Sequence, residues 1–431
     1  MLRRLLSVLP PGTVAVGAGL AVLGAAAYVH LAIAGHALDD GAMSSVSVLW
    51  ALVYAIGLGL FFPIEQEMTR LIAAQRVHGR GAAGVLRQGA LLAGAPLVLL
   101  VAVLALTSDW LATRLFGGDT SLVWALGGAL AGLAVAHPTR GVLAGRARFG
   151  SYGLQLGLDG GLRMVLAGIL GLAGVESAFW YAAVLTIAPL LSVLLTLPAV
   201  WANTDPGEAA GWRDLGRDLG LLVVSALGAQ LVVNIAVVNV RLLDHDDPAG
   251  AAAMLAAVVL VRVPLFVFAS LQASLLPGLT AAATADRADE FRRLLGRALA
   301  LVTALGVAGG VVCVVAGPWL AVTFFDAPDV LGAGDYAWLG LGTLAYLWAL
   351  VLGQGVLAQG RHRDQAVAWT VGSVVLIALT LLPGDVVWRV EIAFVGSSLC
   401  VAAVLALMLR TTRMARDLGP AAARATSIGG F

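Results

Sequence analysis

Apolar runs of bilayer-spanning length, about 20 residues each, recur along this chain and are separated by short polar turns. A hydropathy window of about 19 residues finds centres near Leu23, Tyr54, Val98, Ala131, Val165 and Thr186. A second set is centred near Val232, Leu260, Leu305, Ala345, Val375 and Ala402. The pattern predicts an all-α polytopic membrane protein of about twelve spans, with no room between runs for a separate folded domain. The N-terminal stretch "MLRRLLSVLPPGTVAVGAGLAVLGAAAYVH" is too long for a signal-peptide core and is followed by many further runs, so it reads as the first span.

The polar turns alternate in sign. One set carries Arg3 and Arg4, then Arg70 to Arg87, Arg140 to Arg148, Arg213 and Arg217, Arg287 to Arg297, Arg361 and Arg363, and the tail from Arg410 to Arg424. The other carries Asp39, Asp40, Asp109, Asp119, Glu176, Asp244 to Asp247, Asp326, Asp329 and Asp385. Only Arg114, Arg241 and Arg389 fall on the acidic side. By the positive-inside rule both termini are expected in the cytoplasm.

Composition agrees with this class. Of 431 residues, 60% are hydrophobic and 12% charged, about half the charged share of a soluble domain; the mean hydropathy is +0.94. No basic domain exists to hold nucleic acid. Cys313 and Cys400 lie inside apolar runs and read as small core hydrophobes. "GAGLAVLG" has no strand before it and no Lys-Ser end, so it is not a phosphate-binding loop. With no zinc signature or nucleophile motif either, an enzyme, a metal site and a bound cofactor are not expected.

The second half of the chain echoes the first. "GVLAGR" from Gly141 matches "GVLAQGR" from Gly355, and "FPIEQ" from Phe62 lies opposite "FASLQ" from Phe268. Both pairs are separated by close to half the chain length. Six spans per half put the halves in one orientation, related by an axis along the membrane normal. The expected lobes are 1–210 and 211–431, enclosing a central cavity as in alternating-access transporters. Glu65 and Gln66 of one lobe and Gln272 of the other would then take related places at the cavity's cytoplasmic mouth. The second span is expected to end near Glu65, Glu67 and Arg70. There Glu67 and Arg70 read as an interfacial i, i+3 pair, with Arg70 otherwise a gate residue, while Glu65, two residues after Pro63, is either an anchor or a gate group.

Charges inside a span are costly and mark protein-facing or water-facing positions. Asp159 and Arg163 stand one turn apart in "SYGLQLGLDGGLRMVLAGILGLAG", and Arg262 stands in "VRVPLFVFASLQASLLPGLT" two residues before Pro264. Asp159–Arg163 reads either as a self-neutralising structural pair or as part of a cavity. Arg262 either pairs with Asp159 across the lobes, snorkels at a kink, or faces the cavity. Arg163 and Arg262, one from each lobe, would suit a phosphate or diphosphate headgroup. Gln230 and Asn234, one turn apart, either line the cavity or bond between helices. His30 is expected near an interface, and His137, beside Pro138, in a structural role.

Three stretches carry a family resemblance. "RGVLAGRARFGSYGLQLGLDGGLRMVLAG" (Arg140 to Gly168), "VRVPLFVFASLQASLLPGLT" (Val261 to Thr280) and "FPIEQEMTR" (Phe62 to Arg70) resemble polysaccharide-biosynthesis flippases of the Wzx type. These belong to the multidrug/oligosaccharidyl-lipid/polysaccharide (MOP) superfamily. The resemblance implies a MATE-like fold and translocation of a glycan linked to undecaprenyl diphosphate, with Arg163 and Arg262 matching cavity arginines. It implies a place in the inner membrane of a bacterium, with glycosyltransferases and a glycan polymerase as partners, and leaves proton, sodium or membrane potential open as the driving force. The first two spans lack deep arginines, a departure from the lipid II branch that argues against that cargo.

Two other classes stay open. A MATE-like cation-coupled drug or metabolite antiporter requires a membrane-embedded acid, for which Asp159 is the deep candidate. A non-transporting scaffold for glycan assembly is the third reading. A major-facilitator fold is disfavoured because the turn after the second span lacks that family's Gly-Asp-Arg-Arg pattern.

Overall fold

The computed structural model describes residues 13–77, 80–202, 204–207, 209, 211–244 and 248–417. Among them there are helices and turns and no β-strand. The first half contains α1 (Thr13–Ala37), α2 (Asp40–Leu52), α3 (Gly59–Val77), α4 (Ala83–Leu106), α5 (Ser108–Leu115), α6 (Thr120–Gly145), α7 (Phe149–Leu172) and α8 (Ala178–Trp201). The second contains α9 (Trp212–Leu243), α10 (Pro248–Val261), α11 (Val263–Thr284), α12 (Ala288–Phe325), α13 (Ala333–Ala358), α14 (His362–Thr380) and α15 (Val386–Asp417).

Among the described residues, ten rods are by themselves long and apolar enough to cross a membrane, one of them α2 and α3 joined by a π-helical turn at Val53–Leu58. The broken rod α10–α11 and the more polar α14 complete a twelve-rod arrangement. The chain is a multi-pass membrane protein. Its helix starts follow local rules: the Asp39 carboxylate accepts from the Ala42 amide (2.8 Å), and Asp119 accepts from the Ser121 amide (2.8 Å). Each satisfies an amide that the first helical turn leaves without a partner.

Packing repeats with a six-rod offset. In the first half α1 packs on α7, α3 on α6, α6 on α8 and α7 on α8. In the second α9 packs on α14, α11 on α13, α13 on α15 and α14 on α15. Small residues permit the closest approaches, because lipid supplies no hydrophobic drive between helices and van der Waals fit must. At Gly160 of α7 an added Cβ would stand 2.6 Å from the Leu23 Cα of α1.

Acidic turns gather at one end of the bundle and arginine-rich turns at the other. Trp110, Trp124, Trp180, Trp319 and Trp388 are exposed near the acidic end, where indoles sit at headgroup depth. At the basic end the segment between the halves is stitched to the first half: the Asp205 carbonyl accepts from the Ala83 amide (3.1 Å), and its carboxylate pairs with Arg146 (2.5 Å).

The halves meet in a closed seam at the acidic end. Gly35 of α1 lies against the end of α12, where a Cβ would fall 1.8 Å from the Phe325 carbonyl oxygen. Leu31 and Met43 face Ala252, Leu255, Ala256, Phe325 and Ala327 around a space of about 10 Å³, hardly enough for one water.

Two boundaries differ from the sequence expectation. The second span does not stop near Glu65 but continues to Val77, because Glu65 finds partners inside the bundle. Arg213 and Arg217 lie in the first turns of α9 and not in a loop; their side chains are outside the described residues.

Candidate functional site

Among the described residues, buried polar side chains gather in a cluster within the first half and at a helix break in the second. The first begins on α3. The carboxylate of Glu65, 5% exposed, lies 2.6 Å from Nδ1 of His137 on α6 and accepts from the Tyr152 hydroxyl of α7 at 2.8 Å. Three rods are thereby tied at one carboxylate. Nε2 of His137 is buried with no partner, and the exposed Phe62 ring stands edge-on to the imidazole at 6.2 Å.

On α6 and α7 of that cluster, Asp159 is fully buried and held twice. Its Oδ2 accepts from Arg140 (2.7 Å) and its Oδ1 from Arg163 (2.8 Å). Arg163 also donates to the Tyr54 hydroxyl at 2.8 Å. Tyr54 lies in the π-helical turn, whose extra residue locally re-registers the side chains of α2 and α3. Between the two carboxylates, Gln155 donates to Thr139 at 2.9 Å. The cluster sets two carboxylates, Glu65 and Asp159, against two guanidiniums, Arg140 and Arg163, in equal number. Balance is what makes such burial tolerable in a low-dielectric interior.

The second group sits where α10 breaks. Pro264 has no N–H to continue the helix, so α10 ends at Val261 and α11 begins at Val263. Arg262 occupies the break. One Nη donates to Asn234 Oδ1 at 2.9 Å, and Asn234 Nδ2 donates to Gln230 Oε1 at 2.9 Å. The second Nη is buried and has no partner. Among the described residues no carboxylate pairs with Arg262. Tyr28 from the first half and Tyr346 from the second lie within electrostatic reach of it, and their hydroxyls donate to the Val259 (3.2 Å) and Ala229 (3.1 Å) carbonyls.

The structure thus joins Gln230, Asn234 and Arg262, and separately Asp159 and Arg163. Arg262 does not pair with Asp159. Glu65 joins the inner cluster of the first half, while Gln66 is exposed and the exposed Arg70 bonds the buried Glu67 (2.8 Å). Gln272 lies on α11, with its side chain outside the described residues. His30 is not interfacial but fully buried between Trp50 and Tyr181, at ring separations of 5.4 and 6.2 Å. Sequence reasoning passed over Arg140, Tyr152, Tyr54, Tyr28 and the buried Glu391. Tyrosines look ordinary in a span, and the arginine-rich stretch containing Arg140 reads as a turn.

No protein-family model matches the chain. An uncharacterized protein of Mycobacterium tuberculosis is 26% identical over 412 residues, covering 91% of each chain. An uncharacterized protein of Mycobacterium bovis is 26% identical over 390 residues, covering 86% of each. Among solved structures, the inward-facing conformation of a multidrug resistance MATE family transporter of the MOP superfamily matches with TM-score 0.72 at 14% identity, over 94% of this chain and 99% of that one. An outward-facing conformation of a MATE family transporter of that superfamily matches with TM-score 0.66 at 15% identity, over 94% and 95%. The fold is MATE-like.

Proposed function

We propose that this protein carries a lipid-linked glycan, attached through a diphosphate to a polyprenyl chain, from the cytoplasmic to the outer leaflet by alternating access. The lobes 1–210 and 211–431 are the moving bodies, and both termini lie in the cytoplasm. The observation that carries this reading is Arg262. A guanidinium at a helix break, steadied through one Nη by Asn234 and Gln230, keeps a second Nη buried and without a partner. A cation kept inside a membrane with no carboxylate beside it is suited to an anion brought by the substrate. Arg163 gives its Nε to Asp159 and one Nη to Tyr54, so in this reading it adds field and Arg262 supplies the contact. Gln66 and Gln272 remain the related positions for a cytoplasmic gate. Glycosyltransferases that build the glycan and a polymerase that extends it are the partners this substrate implies.

Titration of the purified protein with inorganic diphosphate tests the headgroup site. Arg262→Ala is expected to weaken binding at least tenfold, about 1.4 kcal/mol, and Arg262→Lys to fall between, because an ammonium lacks the two-pronged geometry. Equal affinity in wild type and Arg262→Ala would remove the headgroup from this site.

One observation favours a second reading, a cation-coupled antiporter. Glu65 is a buried carboxylate on His137 and Tyr152, and His137 keeps an unmatched Nε2. Such a group can exchange a proton, whereas Asp159 is fixed by two arginines. Transport of a small cation that requires an imposed proton gradient and Glu65, without glycolipid movement, would favour it.

A further inference from the structure

The closed seam at the acidic end touches the Arg262 site through one side chain. Tyr28 belongs to α1 of the first half, and its hydroxyl donates to the Val259 carbonyl of α10 in the second. That carbonyl is within reach because the helix is failing there. In an unbroken helix it would take the amide of residue 263; here it takes the amide of Arg262 at a long 3.3 Å. Pro264 removes the next amide altogether. The Tyr28 ring also rests on Phe325 at a centroid distance of 6.5 Å, and Phe325 is the residue whose carbonyl abuts Gly35. Apart from this hydroxyl, the side chains lining the seam around Leu31 and Met43 are apolar.

A phenol has one proton to donate. The Tyr28 hydroxyl and the Arg262 amide share the Val259 carbonyl, which sets the phenol beside the residue whose second Nη is unmatched. An anionic oxygen bound there is a stronger acceptor than a neutral carbonyl, because hydrogen bonds to ionised partners are about twice as strong. The hydroxyl cannot serve both.

We propose that Tyr28 is an anion-sensing latch. With Arg262 unoccupied its hydroxyl bridges the halves to the Val259 carbonyl and helps hold the acidic end shut. With a diphosphate oxygen on Arg262 the hydroxyl turns to that oxygen, the bridge is lost, and the seam loosens. Binding of the headgroup and opening of the acidic end are thereby linked through one proton, so that an empty carrier stays closed on that side. This rests on the headgroup reading of Arg262 and adds to it the residue that reports occupancy.

Nitroxide pairs at Asp40 and Asp329, exposed on the two sides of the seam, test the latch in a background with Cys313 and Cys400 replaced by alanine. Distances are read by electron–electron double resonance on the full chain in lipid nanodiscs, with inorganic diphosphate as probe. Wild type is expected short, lengthening on diphosphate. Tyr28→Phe, which keeps the ring on Phe325, is expected to raise the long-distance population about fivefold without ligand, the worth of one hydrogen bond, and to respond little to diphosphate. Arg262→Ala is expected to stay short and ignore diphosphate. A ligand-free Tyr28→Phe distribution equal to wild type overturns the latch, as does a wild type that binds diphosphate without lengthening. A wild type that binds no diphosphate strikes the headgroup reading instead and with it the sensing role, while the ligand-free comparison still decides whether the hydroxyl holds the seam.

Discussion

Arg140 reaches across from α6 to Asp159 on α7 at 2.7 Å, opposite the bond from Arg163 on the carboxylate's other oxygen. Asp159 therefore serves two cations, and removing it strands both. Asp159→Asn is expected to cost about 3–5 kcal/mol, the scale for breaking a buried pair. The double variant Asp159→Asn/Arg163→Met should recover only part of it, because Arg140 stays without its carboxylate. Adding Arg140→Met should recover more. Thermal unfolding in detergent measures the series; full recovery in the double variant would mean that Arg140 contributes nothing.

Glu65 gathers His137 and Tyr152, so its partners should be felt unequally. Tyr152→Phe removes one hydrogen bond to a charged group and is expected to cost about 2 kcal/mol. Glu65→Ala leaves the His137 Nδ1 and the Tyr152 hydroxyl without their acceptor and the two arginines against one carboxylate, so it should cost about 3–5 kcal/mol. Equal losses in the same unfolding assay would contradict the three-way tie.

A side chain at position 35 cannot coexist with the seam as it stands, since its Cβ would lie 1.8 Å from the Phe325 carbonyl oxygen. Gly35→Val is expected to hold the acidic end apart. A cysteine at Met43, which lines the seam, should then react with a membrane-impermeant maleimide, and should be protected when Gly35 is intact. Protection in both backgrounds would show that the contact yields elsewhere.

The orientation is checked with cysteines at exposed turn positions. In intact cells, probes at Asp40 and Asp119 should be labelled from outside, and probes at Arg80 and Arg287 should be spared. The opposite pattern at two or more positions would reverse the assignment of leaflets.

The spans, the doubling and the helix break at Arg262 were legible in the sequence, because hydropathy, span number and Pro264 act locally or by simple periodicity. The grouping of Gln230 and Asn234 was legible from their one-turn spacing, and Asn234 proves to be the partner of Arg262. What escaped were contacts set by packing. The sequence places Arg140 in an arginine-rich stretch like those of the turns, and only the close stacking of α6 on α7 brings it to Asp159. Glu65 looked like a helix end because Arg70 and Arg76 follow, yet the helix runs on once His137 and Tyr152 satisfy the carboxylate. Tyr28 carries no signal at all until α1 is set against α10.

Movement of the glycolipid itself is the most direct test. Proteoliposomes carrying a fluorescent glycan on polyprenyl diphosphate in both leaflets are treated with an impermeant quencher, and the quenched fraction is followed in time. Wild type should bring the inner-leaflet glycolipid within reach. Arg262→Ala should fall to the rate of protein-free vesicles while remaining folded and inserted, and Arg262→Lys should restore part of the rate. Glycolipid movement at the wild-type rate in Arg262→Ala, or none in wild type, would contradict the assignment of this protein as a lipid-linked glycan carrier that grips its substrate at Arg262.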